Sequence, residues 1–160
     1  MSDIHIEDFY KDVAKILAQL YGCFPRKSIL YVEDIAGPDA PDEFGLHSER
    51  HQACFGTMVW LAESGYLQYG ETIRQEALDQ ACLTHKGFTL LSTRATFVAD
   101  GSIDQSAGEH AGETRAALAA EPGRGITYNI NQLRQALKSR SSSLIRQTVH
   151  QLLLESRHHR

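Results

Sequence analysis

The chain has 160 residues, 42% hydrophobic and 22% charged, an ordinary globular composition with enough apolar side chain for a real core. No apolar run approaches the roughly 20 residues that cross a bilayer, and the acidic start "MSDIHIEDFYKDV" has no continuous apolar stretch of the kind a secretory signal needs. The net charge of −4 is unevenly placed: residues 1–120 hold 9 Lys and Arg against 18 Asp and Glu, and residues 121–160 hold 7 against 2.

A first helix is predicted where Ile6, Phe9, Val13, Ile16, Leu17 and Leu20 recur at three and four residues. Glu7, Asp8, Lys11, Asp12 and Lys15 then face largely outward, and Gly22 and Pro25 end the helix. "SILYVEDI", residues 28–35, is β-branched and apolar enough for a short strand. "AGPDAPDEFG", residues 36–45, reads as a loop from its prolines, glycines and acids. A second long helix opens at Ser48, a good N-cap, with Glu49 suited to the first turn. Ala53, Cys54, Met58, Leu61 and Ala62 form its apolar side, with Phe55 and Val59 beside it, and Gly65 ends it. "YLQYGETI" predicts a strand. "RQEALDQ" has helical composition, yet its position between two short apolar runs suits a hairpin turn. "ACLTHKGFTLLST" predicts a strand that leads into a helix capped by Thr84. Residues 100–125 are rich in Ala, Gly and Ser and read as linker, with at most one helical turn at "TRAALAA". Periodicity returns in the tail, where Ile130, Leu133, Leu137, Leu144, Val149 and Leu152 predict an amphipathic helix, with a break allowed near "SRSSS" at 139–143.

Two phrases carry a family resemblance. "WLAESGYLQ", residues 60–68, is similar to the end of the third helix of winged-helix domains running into the first wing strand. "LTHKGFTLL", residues 83–91, resembles the phrase after the wing in many bacterial regulators: Leu-Thr, two polar residues, Gly, then an apolar pair. Together with the order helix, strand, helix, hairpin, helix, they resemble the winged-helix superfamily over residues 5–95. The resemblance implies an α+β, mainly helical fold: a winged-helix core with a two-stranded wing at 66–84 in residues 1–95, a linker at 96–125 and a basic amphipathic helical tail at 126–160. The chain departs from the pattern at "EDIAGPDAPDEFGL". A helix-turn-helix has its supporting helix there, and this composition predicts no regular helix of useful length.

Charge weighs on the function the resemblance implies. On helix 48–64 the expected exposed residues are Glu49, Arg50, Gln52, Thr57 and Glu63, of which Arg50 and Gln52 could reach base edges. Around them lie Asp39, Asp42, Glu43, Glu63 and Glu71, and the wing adds Arg74 alone. Affinity for DNA comes largely from neutralising phosphates, which this face does poorly. Trp60, Phe55 and Tyr66 read as core, except that Trp60 lies opposite the main apolar side and suits an exposed anchor for a protein partner. In the tail, Arg134, Lys138, Arg140, Arg146, Arg157 and Arg160 flank an apolar stripe that needs cover. The chain's own acidic body, the same tail of a second chain and a different protein are the three ways to provide it. Membrane-surface binding is weaker, because Tyr128 is the segment's one aromatic.

His47, His51 and Cys54 share one helical face at spacings of four and three, and Cys82 or His85 could complete a set of zinc ligands. Yet Cys54 lies on the apolar side, His47 precedes the N-cap, and neither CxxC nor HExxH occurs, so no metal is expected. The acidic loop lacks the ligand spacing of a calcium-binding EF-hand. Nucleophile motifs, Gly-rich phosphate loops and a carboxylate pair with a cleft are absent, which predicts no enzyme and no cofactor. Cys23, Cys54 and Cys82 are far apart and odd in number, which favours a reducing cytoplasm over a disulfide framework. The sequence therefore predicts a cytoplasmic, bacterial, non-enzymatic winged-helix module that binds protein as a subunit or adaptor. The alternative is a DNA-binding regulator that dimerises through its tail.

Overall fold

The computed structural model describes residues 3–95 and 127–157. The fold is α+β and mainly helical. In chain order it holds helix α1 (Ile4–Cys23), strand β1 (Ser28–Tyr31), the short helix α2 (Val32–Ala36) and helix α3 (Glu49–Glu63). Strands β2 (Leu67–Gln68), β3 (Glu71–Ile73) and β4 (Ala77–Leu83) follow, then helices α4 (His85–Ser92), α5 (Asn129–Ser139) and α6 (Ser142–Ser156). The predicted linker at 96–125 lies outside the described residues, as does Arg160. No helix of the described residues is long and apolar enough to cross a membrane.

The sheet is small, open and antiparallel. β4 is its centre, paired with β1 on one side and with β2 and β3 on the other. The hairpin expected over 66–84 is present, so "RQEALDQ" is a turn running into β4 and not a helix. Its tip turns at Arg74 and Gln75, both with positive φ, and the Glu76 amide donates to the Ile73 carbonyl at 2.7 Å. Side chains other than glycine or asparagine are uncommon in that region, so contacts elsewhere must hold the tip.

The chain leaves α3 through a Schellman turn. The Tyr66 amide donates to Leu61, the Gly65 amide to Ala62, and Gly65 takes φ of 87°. Thr84 caps α4 by accepting from the Gly87 amide at 3.1 Å. Gly87 has a steric reason to be glycine: a Cβ there would overlap the Tyr66 carbonyl. The phrases "SGYL" and "LTHKG" are thus two halves of one contact, in which α4 presses its backbone onto the start of the hairpin.

Two expectations change, and one left open is decided. The segment "SILYVEDI" is strand only to Tyr31. The Val32 amide makes the last sheet bond, to Glu76, and α2 begins at once. On α1, Ile6 is exposed and Asp12 is buried, the reverse of what amphipathic spacing predicts. The tail is two helices, α5 and α6, parted where Arg140 adopts the left-handed conformation (φ 57°). It is also no appendage. Ile130, Leu133, Ala136, Ile145, Val149 and Leu152 lie in one buried cluster with Val13, Ile16, Leu17 and Leu20 of α1 and Met58 and Leu61 of α3. The chain's own body therefore covers the tail's apolar stripe. Buried polar links secure it: Tyr66 Oη donates to Ser156 Oγ at 2.8 Å, and Asn129 Nδ2 donates to the Leu90 carbonyl and to Glu155.

Candidate functional site

Helix α3 is where the chemistry concentrates, and its three sides differ. The inner side, Cys54, Thr57, Met58 and Leu61, is buried. Thr57 was expected outside, but its hydroxyl donates to the Ala53 carbonyl at 3.0 Å, and one satisfied hydroxyl can be buried cheaply. Ala53, expected on the apolar side, is exposed.

The second side holds an ion pair. Arg50 reaches across to α1 and grips the carboxylate of Asp12 with both ends of its fork, at 2.7 and 2.5 Å. Asp12 is 1% exposed and Arg50 33%. Asp8 adds a longer contact at 3.9 Å. Hydrogen bonding to Asp12 raises the Arg50 pKa further. Arg50 is therefore a brace between α3 and α1, not a free side chain aimed outward. Cys54 sits at the same seam. Burial first, and the charge of Asp12 second, push its thiol up to about 12. A thiol so hard to ionise is a small apolar group there and a poor metal ligand.

At the N-terminus of α3 lies a third arrangement. Asp39, from the loop before the helix, is held by the Ser48 amide, which donates to Oδ1 at 3.1 Å. Its other oxygen, Oδ2, faces two imidazoles: Nδ1 of His47 at 2.6 Å and Nδ1 of His51 at 3.7 Å. The two rings stack with centroids 3.9 Å apart and planes 9° apart. His51 Nε2 donates to the Gln75 carbonyl at 3.0 Å, which pins the strained hairpin tip. His51 Nδ1 is buried and has no hydrogen-bond partner among the described residues. Burial pushes the Asp39 carboxyl up, but hydrogen bonds from His47 and Ser48 outweigh it and hold the group well below the usual carboxylate range. The hydrogen bond to Asp39 raises the His47 pKa against the effect of burial. Sequence spacing paired His47 and His51 correctly but gave them Cys54 as the third member. The third member is Asp39, eight residues before His47, and only the fold of the loop brings it there. A pocket of about 190 Å³ borders His51, lined also by Gln52, Phe55, Gly56 and Gln75.

The outward stripe of α3 is Glu49, Gln52, Ala53, Gly56, Trp60 and Glu63. Gln52 folds back, donating from Nε2 to the His47 carbonyl at 2.8 Å. Trp60 is 40% exposed and packs its edge on Phe9 of α1, ring centroids 5.2 Å apart. Arg74 is exposed at the hairpin tip, far from any cluster of like charge in sequence. In the tail, Lys138, Arg140 and Arg146 are exposed, while Arg134 lies over the Tyr21 ring at 5.3 Å. The chain matches no family model, no curated protein and no solved structure.

Proposed function

We propose that this chain is a non-enzymatic winged-helix module that binds another protein through the outer stripe of α3. The order α1, β1, α2, α3 and hairpin supports the winged-helix assignment, with α2 reduced to five residues and an acidic loop standing where a longer supporting helix would be. One observation carries the functional half. The exposed stripe of α3 contains no Lys or Arg, because the helix's one arginine is held by Asp12. Such a face attracts no phosphate backbone. What it offers is partly apolar: Ala53 and Gly56 at the middle, Trp60 beside Phe9, and a carboxylate at each end. A large aromatic rimmed by polar groups suits a protein contact.

The test is recovery of the native partner. Tagged full-length chain, purified from its own cells at low concentration, should bring down a protein in constant ratio. Trp60→Ala should lose it while staying folded, with a stability change much smaller than that of Met58→Ala. Equal recovery with both chains would refute this use of α3. The runner-up, a dimeric DNA-binding regulator, has the exposed Lys138, Arg140 and Arg146 in its favour. Those three sites can be reversed to Glu in the whole chain. Sequence-discriminating DNA binding that vanishes in that variant would establish the alternative. Truncating the tail does not serve, since α5 and α6 complete the core.

A further inference from the structure

Two ring nitrogens and a carboxylate oxygen gather at the start of α3. A carbonyl oxygen only accepts, so the 3.0 Å contact with Gln75 fixes the proton of His51 on Nε2. In the neutral ring Nδ1 then carries a lone pair. It is buried in a side chain only 3% exposed, has no donor to meet it, and faces Asp39 Oδ2 at 3.7 Å. Two electron-rich atoms that face each other across such a gap repel, and a buried acceptor without a partner is costly. A positive ion between them removes both penalties.

The surroundings follow the usual support of a metal-bound imidazole. His51 already donates its far ring N–H to a backbone carbonyl, the contact that fixes tautomer and ring orientation in such sites. Asp39 is likewise oriented, with the Ser48 amide on Oδ1 and Oδ2 left to point at the histidines. The ligand atoms of Asp39, His47 and His51 all lie within 4.8 Å of one another. We infer that Asp39 Oδ2, His51 Nδ1 and His47 bind one divalent transition-metal ion of the zinc class, with water in the fourth position. Two imidazoles and a carboxylate with one open position are a set that zinc takes, and that other borderline divalent ions such as Fe²⁺ share.

Binding requires one rearrangement. Bonds of about 2.0–2.1 Å converge from separate directions, whereas parallel stacked rings do not converge. His47 is the ring that moves, being 20% exposed and carried on the loop, while His51 is fixed by the hairpin. The proton between His47 and Asp39 leaves to solvent as the ion enters. The bound ion then joins the acidic loop to α3 and, through His51 and Gln75, to the hairpin tip. This inference stands apart from the proposed partner surface.

Calorimetric titration of chelator-treated full-length chain with Zn²⁺, and with Co²⁺ read by visible absorption, tests it. The chain has 8 histidines, so stoichiometry alone does not locate the ion. His51→Gln removes the central ligand but is buried and can unfold the chain. His47→Ala and Asp39→Asn therefore carry the test. The expected result is one strong Zn²⁺ per chain, a higher melting temperature with Zn²⁺, and affinity weakened by more than about tenfold in both variants. Co²⁺ should give the intense visible band of a four-coordinate site in the wild type alone. Absence of saturable binding, or one strong site unchanged in both variants, would overturn the assignment.

Discussion

Two carboxylates flank the N-terminal half of α3, and they are buried to nearly the same degree. Asp12 on one side is 1% exposed, and Asp39 on the other is 4% exposed. Their partners differ. Asp12 meets a guanidinium, whose fork supplies one donor to each oxygen, and every strong hydrogen-bonding site is met. Asp39 meets two imidazole nitrogens at one oxygen, and one of them, His51 Nδ1, makes no hydrogen bond among the described residues. The first cluster is closed and acts as a brace. The second leaves one buried ring nitrogen without a hydrogen bond, and that open position, not burial, distinguishes a candidate ligand site from a structural ion pair.

Breaking the closed cluster should have the largest effect. Arg50→Ala leaves the Asp12 carboxylate buried and uncompensated, a loss of about 3–5 kcal/mol for buried pairs, with the low end expected because water reaches the guanidinium. Urea unfolding of the two chains measures it. A loss under about 0.5 kcal/mol, the size of a surface change, would show that the pair is no brace.

Met58→Ala provides a scale for the apolar side beneath both clusters. Met58 is fully buried, and emptying such a site costs about 2–5 kcal/mol. The same unfolding curves check it. If Arg50→Ala costs as much as Met58→Ala, the brace matters as much as the core it spans.

Gly87→Ala probes a contact that neither cluster touches. The added Cβ must push α4 off the Tyr66 carbonyl, and overpacking of this kind costs about 1–3 kcal/mol. An unchanged midpoint would show that α4 can slide without loss.

The open cluster should respond to pH. With chelator present, the Asp39–His47 pair has one pKa lowered from 3.8 and one raised from 6.5. A lowered carboxyl contributes stability above 3.8 that is lost as pH falls through its folded value. A raised histidine contributes stability below 6.5 that is lost as pH rises through its folded value. The pair's contribution is therefore full between those two limits and fades on both sides. His47→Gln should flatten the alkaline limb of melting temperature against pH. Parallel curves for the two chains would remove His47 as its cause.

The smallest stability effect belongs to the outer stripe. Trp60→Ala should change stability much less than Met58→Ala, yet abolish partner recovery if the proposed interface is right. A large drop in melting temperature would place Trp60 in the core and sever it from the partner reading.

Periodicity alone determined much of this protein. The spacing of Val13, Ile16, Leu17 and Leu20, and of Cys54, Met58 and Leu61, fixed two helices and their inner sides, since a helix repeats its face every three or four residues. Ser48, Gly65 and Thr84 fixed where helices begin and end, because capping is local chemistry. The hairpin between Tyr66 and Thr84 and the break near Arg140 were legible for the same reason. The tertiary structure decided what depends on a partner distant in sequence. Asp12 looked exposed because nothing nearby announces Arg50, 38 residues away. Asp39 looked like one acid in a solvated loop until the loop folded it onto His47 and His51. The tail looked like an appendage because its stripe has the same pattern whether it meets a second chain or its own α1. Patterns of period three or four state that a face must be covered. Only the packed chain states what covers it.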